Sequence, residues 1–134
     1  MALTFGMPQT GQRLALLQRG DAATMFCPAR PLLATSSLQE CCVYQTGTWK
    51  LLFSLPLDSG GSLPGSVCFS PDGQWLALQR DLYTIQLVQA LTGHIIASLP
   101  SPNPQILQTL RFSPDGVVLA AGTRANQVHL LNRQ

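Results

Sequence analysis

The chain has 134 residues, one domain's worth, and a domain of this size that closes compactly buries roughly 65–70% of its unfolded surface. Hydrophobic residues make up 46% and charged residues only 10%, well below the usual ~25%, which points to a surface that another chain partly covers. A formal net charge of +2 is too small to argue for nucleic acid or an anionic membrane as partner, and no run approaches the roughly 18 apolar residues of a membrane-spanning helix.

Residues 1–24 open with Met1-Ala2-Leu3-Thr4-Phe5-Gly6-Met7, which has neither the basic n-region nor the apolar h-region of a secretory signal. A cytoplasmic protein is therefore expected. Phe5 precedes a turn-like Gly6-Met7-Pro8-Gln9-Thr10-Gly11, and Gln12-Arg13-Leu14-Ala15-Leu16 resembles Gln74-Trp75-Leu76-Ala77-Leu78 further on. Two readings stay open here: half of a repeat unit, or a chance turn followed by a strand.

Residues 25–66 begin with Phe26-Cys27-Pro28, whose meaning comes from downstream. Phe69-Ser70-Pro71-Asp72-Gly73 recurs unchanged as Phe112-Ser113-Pro114-Asp115-Gly116, a spacing of 43 residues, and the same spacing counted backwards lands on Phe26. A fixed period of roughly 40–45 residues is the mark of a repeat architecture. Gln74-Trp75-Leu76-Ala77-Leu78 matches Val117-Val118-Leu119-Ala120-Ala121, with Pro31-Leu32-Leu33-Ala34-Thr35 in the first copy. Thr84-Ile85-Gln86-Leu87-Val88 matches Gln127-Val128-His129-Leu130-Leu131, with Cys41-Cys42-Val43-Tyr44 in the first copy. The first two copies then reach Thr46-Gly47 and Thr92-Gly93. These lead into Leu51-Leu52-Phe53-Ser54-Leu55 and Ile95-Ile96-Ala97-Ser98-Leu99, which Pro56 and Pro100 stop.

One unit reads as four short strands. The first ends in Phe. Ser-Pro-Asp-Gly is a turn, because Pro presets φ, Asp can bond its own backbone and Gly accepts a positive φ. A second strand follows through Leu-Ala, then a polar loop, then a third strand rich in β-branched and long apolar residues. Thr-Gly turns the chain into the fourth. Apolar runs are short and broken by Gly, Pro and Ser every 8–12 residues, so no helix is predicted.

These motifs resemble the WD-repeat β-propeller family, in which each repeat makes one blade. The carriers are Phe-Ser-Pro-Asp-Gly-x-x-Leu-Ala at 69–77 and 112–120, and Val/Ile-x-Leu at 85–87 and 128–130. The resemblance covers residues 25–134. It implies an all-β fold: a partial β-propeller of about three four-stranded WD-like blades, with an incomplete N-terminal half-blade. Read as a single domain over 1–134, it divides into an incomplete blade (1–24), two blades (25–66 and 67–105) and a blade lacking its last strand (106–134). The chain departs from the family where the Trp-Asp pair should stand, having Tyr44-Gln45, Val88-Gln89 and Leu131-Asn132 instead. The Gly-His pair is absent too. The buried hydrogen-bond network of typical blades is therefore not expected, and packing should hold these blades together.

The loop at 58–66 and its counterpart at 100–105, with three prolines, read as blade-to-blade joints, the second also as a candidate recognition surface. Cys27, Cys41, Cys42 and Cys68 show no C-x-x-C spacing and no nearby His, so buried reduced thiols are expected. Trp49 is expected to pack rather than bind, and His129 to face opposite to Val128 and Leu130. No arrangement of the six acids argues for general acid–base work, and no phosphate-cradling Gly motif occurs; no catalytic residue, cofactor or metal is expected.

The resemblance implies that the loops between second and third strands, 36–40, 79–83 and 122–127, share one rim with the blade-to-blade loops. Arg80, Asp81, Tyr83, Arg124 and Asn126 would collect there as the candidate partner-binding rim. Loops on a rigid scaffold are where binding concentrates, and Arg and Tyr are enriched at binding hot spots. A propeller needs about 4–8 blades to close and hide its strand edges, which three blades and a fragment do not supply. The expected partners are proteins: either identical chains that close a ring together, or the remainder of a larger propeller. Nucleic acid and membrane are not expected. Three functions stay open: a non-catalytic protein–protein interaction scaffold; a truncated or split propeller fragment that acts only after assembly with other blades; and an enzyme or sensor with a channel site.

Overall fold

The computed structural model describes residues 16–17, 22–58, 65–101 and 105–132. Every regular element among them is a β-strand. In chain order these are β1 (Ala23–Phe26), β2 (Leu32–Ser36), β3 (Glu40–Gln45), β4 (Lys50–Pro56), β5 (Val67–Phe69), β6 (Trp75–Asp81), β7 (Thr84–Gln89), β8 (Ile95–Pro100), β9 (Leu107–Phe112), β10 (Val118–Thr123) and β11 (Val128–Asn132). They form three antiparallel meanders, β1-β2-β3-β4, β5-β6-β7-β8 and β9-β10-β11. β1 lies against β5 and β5 against β9, so the sheets fan out from their first strands as consecutive blades of a partial propeller. The first sheet starts at Ala23, and the rest of the half-blade read at 1–24 lies almost wholly outside the described residues.

Alternation builds the blade interfaces, broken in β9 by a register shift that brings both Leu107 and Leu110 to one face. Val67, Phe69, Leu76, Leu78, Val88 and Ala90 of the second sheet are buried against Cys27, Leu32, Ala34, Cys41 and Val43 of the first. Cys68, Ala77 and Ile85, one step out of phase, are buried against Leu107, Leu110, Leu119 and Ala121 of the third. A one-residue slip of any strand would exchange these two faces. Each fully buried Leu, Ile or Phe contributes roughly 1.5–3 kcal/mol, so packing is a sufficient source of cohesion.

The Ser-Pro-Asp-Gly turns are built twice in the same way. Ser70 Oγ donates to Asp72 Oδ1 (2.6 Å) and accepts from Trp75 N (3.0 Å), while Asp72 Oδ1 also accepts from Gln74 N (3.0 Å). Ser113, Asp115, Val117 and Val118 repeat the pattern at 2.6, 3.0 and 3.0 Å. Gly73 and Gly116 both have φ 75, the left-handed region this turn requires. Two donated hydrogen bonds hold the Asp115 carboxyl below its ordinary value, that from Ser113 first and that from Val117 second.

Two sequence expectations are corrected. The turn before each fourth strand aligns not Thr46-Gly47 but Thr48-Trp49 with Thr92-Gly93. Thr48 Oγ1 donates to Gln45 Oε1 (3.1 Å) as Thr92 Oγ1 does to Gln89 Oε1 (2.9 Å). Trp49, with φ 58, takes the place of Gly93, with φ 76. The pairing of like dipeptides misled because the turn is defined by a Gln–Thr hydrogen bond, not by the glycine. The loops between second and third strands are also shorter than 36–40, 79–83 and 122–127. Ser36, Gln79–Asp81 and Gly122–Thr123 belong to strands. A bulge between Gln79 and Asp81 lets β6 run on through Arg80 before it turns.

Candidate partner-binding rim

The rim is tied together by backbone hydrogen bonds. Leu57 N donates to Gln39 O (2.8 Å) and Asp58 N to Arg80 O (2.8 Å), joining the exit of the first blade to its own hairpin and to the next. Ser101 N donates to Tyr83 O (2.7 Å), repeating the first of these one blade further on, and Leu107 N, at the start of β9, donates back to Leu82 O (2.9 Å) of the second blade's hairpin. Arg124 N donates to Ile106 O (2.9 Å). Among the described residues, the hairpin turns and the ends of the blade-to-blade segments are therefore joined by backbone hydrogen bonds.

Arg80 sits at the bulge with its side chain exposed. Asp81 is half-buried and its Oδ1 accepts from Tyr83 N at 2.9 Å, so this carboxylate shapes the turn. Tyr83 is 43% exposed. Arg124 and Asn126 are exposed on the next hairpin, and Asn126 holds φ 60, a conformation Asn tolerates well. The structure thus places three of these residues on one hairpin and two on its neighbour, and among the described residues no hydrogen bond links the two sets. Asp58, Asp81, Leu82, Tyr83 and Thr84 line an open depression of about 390 Å³ between the second blade's hairpin and the exit of the first blade.

Sequence reasoning missed the amides that brace this rim. Gln79, 7% exposed, donates through Nε2 to Leu107 O (3.1 Å) and accepts at Oε1 from Ser66 N (3.4 Å), joining the second blade to the third. Gln105 accepts at Oε1 from Thr123 Oγ1 (3.0 Å), lies 3.1 Å from His129 Nε2, and donates through Nε2 to Gln127 Oε1 (2.8 Å). With Thr123 already donating, Gln105 Oε1 suits a His129 that carries its proton on Nε2. The opposite rim holds a smaller groove of about 260 Å³, lined by Arg30, Gly73, Trp75, Gln89, Leu91 and Thr92 among others.

Residues 24–108 match the family described as the anaphase-promoting complex subunit 4 WD40 domain. This chain is a WD40-repeat protein. The match spans the first two blades and the entry of the third. A search of curated proteins found no match. WD40 domains are in general non-catalytic scaffolds, and membership supports a protein-interaction role in general.

The chemistry available in these WD40 blades is muted. All four cysteines are free and buried. Burial pushes the Cys41 thiol up to about 12, with Cys42 and Glu40 adding to it; burial also raises Cys42 and Cys68. Thiols held neutral in this way are poor nucleophiles and poor metal ligands. Among the described residues, no group of three or more His, Cys, Asp or Glu side chains is placed to hold a metal ion.

Proposed function

We propose that this chain is a non-catalytic scaffold that binds a protein partner through the rim carrying Arg80, Tyr83, Arg124 and Asn126. The observation that supports it is the hydrogen-bonded rim itself. Each hairpin is fixed by backbone to the neighbouring inter-blade segment, so the exposed side chains stand on a rigid base. Rigid presentation lowers the entropy cost of binding, and Arg and Tyr are the side chains that most often dominate such interfaces. Asp81 shapes the hairpin that carries its neighbours. The matched family is named for a subunit of a multi-protein complex, which favours a partner that is itself part of an assembly. Four buried reduced thiols favour the cytoplasm as the place of action.

The test is affinity capture from native cells with the wild-type chain and an Arg80→Ala/Arg124→Ala variant, quantified by mass spectrometry. A partner depleted at least about tenfold by the variant, with an unchanged thermal midpoint, supports the rim; equal capture removes it.

A further inference from the structure

The groove on the opposite rim lies between the first two blades, and three of the residues that line it are the odd members of their repeat positions. Arg30 stands where the next two copies have Gly73 and Gly116. Trp75 stands where the others have Leu32 and Val118. Leu91, two residues after Gln89, stands where the first blade has Gly47, two residues after Gln45. The fold asks for none of the three. Gly73 and Gly116 supply the φ of 75 their turn requires, whereas Arg30 has no positive φ. Leu32 and Val118 sustain the strand without an indole, and Gly47 makes the turn without a side chain.

Arg30 is half-buried and held in place. Its Nε donates to Gly73 O at 3.0 Å, and its Cγ lies 3.0 Å from where a Cβ on Gly73 would stand. A guanidinium held through Nε keeps Nη1 and Nη2, the pair of donors that receives a carboxylate end-on. Among the described residues no acid lines the groove. Asp72, the neighbour of Gly73, directs its Oδ1 to Ser70 Oγ (2.6 Å) and Gln74 N (3.0 Å). Gln89 Oε1 is taken by Thr92 Oγ1 at 2.9 Å. The groove therefore sets one positive charge beside an apolar wall of Ala90, half-buried Trp75 and Leu91, the last 48% exposed. Its volume of about 260 Å³ is below the roughly 300–1,000 Å³ of small-molecule sites, so it suits the side chains of a peptide rather than a cofactor.

We propose that this groove takes an extended acidic segment of a partner protein. A Glu or Asp carboxylate sits on the two terminal nitrogens of Arg30, and an apolar side chain two residues away packs on Trp75 and Leu91. Residues i and i+2 of an extended chain lie on one side, which matches a groove with one charged and one apolar half. This site is separate from the rim that carries Arg80 and Arg124 and does not rest on it.

The probe is the end-blocked peptide Ser-Leu-Ser-Glu-Ser-Leu-Ser, which offers an apolar residue on either side of the acid. It is titrated into the intact chain and read by NMR at the indole N–H of Trp75, identified with Trp49→Phe. A saturable shift is expected, with peptides carrying Gln for Glu, or Ser for both Leu, at least about tenfold weaker. Arg30→Gln weakens binding by a similar factor. Because Arg30 also braces Gly73, Leu91→Glu provides an independent variant: it lies at an exposed position, leaves the thermal midpoint unchanged and repels the acid, again at least about tenfold. Arg80→Ala/Arg124→Ala binds the peptide as the wild type does. Absence of saturation, equal binding of the Gln peptide, or wild-type affinity in Leu91→Glu overturns the proposal. Equal binding of the Ser-for-Leu peptide reduces the groove to a simple anion site and overturns it too. Loss of binding in Arg80→Ala/Arg124→Ala places the acidic peptide on the other rim, with the same consequence.

Discussion

Arg30 and Gly73 occupy the same position in consecutive repeats, 43 residues apart, and the first bonds the second: Arg30 Nε donates to Gly73 O at 3.0 Å. The copy that lost its turn glycine thus braces the copy that kept it. Gly73 has no room to change. A Cβ there would meet Arg30 Cγ at 3.0 Å and both Ala29 Cβ and Cys27 Sγ at 3.2 Å, on a backbone with φ +75. Gly73→Ala is expected to cost about 1–3 kcal/mol, from the left-handed backbone plus the crowding of the first blade. Gly47 is the control, because it has φ +89 but nothing within 4 Å of a built Cβ. Gly47→Ala should show only the backbone cost of about 1 kcal/mol. Urea unfolding of the two variants checks this; equal losses would mean that Gly73 is not an inter-blade contact.

A second glycine tests how the Thr-Gly turn docks on its neighbour. A Cβ on Gly93 would lie 2.5 Å from Phe53 Cδ1, and Phe53 is part of the outer strand of the first blade. Trp49 holds φ 58 at the equivalent turn position of that blade, so the turn accepts a side chain where space allows. The penalty for Gly93→Ala should therefore come mainly from the ring. We expect a loss of about 2–3 kcal/mol in the wild type, falling to about 1 kcal/mol in a Phe53→Ala background. A double-mutant cycle measures the coupling, and additive losses would refute the contact.

Much of this fold was legible because its signals are local and repeated. Phe-Ser-Pro-Asp-Gly specifies its own turn, since the Ser hydroxyl, the Asp carboxylate and the Gly φ are supplied within five residues. Alternation in Leu76, Ala77 and Leu78 marks a strand with both faces buried, but not which blade each face meets. What was illegible is non-local. Gln79 reaches Leu107, 28 residues on, and Gln105 reaches His129, 24 residues on. A lone Gln carries no signal of such a partner. The bulge at Arg80 was hidden for the same reason, because it is a property of the β6–β7 pairing and not of either strand alone. Tyr44, Val88 and Leu131 were read correctly as lacking the family's Trp-Asp pair, yet Gln45 and Gln89 in the next position still anchor a Thr hydroxyl.

The buried thiols give a pH signature. Cys41 is 0% exposed on the face of β3 that packs against the second blade, and burial lifts its thiol from an ordinary 9.0 to about 12. At pH 8 an ordinary thiol of that kind is about 10% thiolate, whereas Cys41 in the folded chain would be about a thousandfold less ionised. A short iodoacetamide pulse at pH 8 should therefore label Cys41 at least about a hundredfold more slowly in the native chain than in urea, read by peptide mass spectrometry. The same shift links stability to pH. The folded value lies above the unfolded one, so the contribution is fully present below pH 9 and is lost as pH rises toward 12. Between pH 8 and 10.5 the unfolding free energy of the wild type should fall more steeply than that of Cys41→Ala, by at most about 1.4 kcal/mol per pH unit for this one group. Parallel slopes would show that Cys41 ionises in the folded chain as readily as in the unfolded one, and that the interface between the first two blades admits water.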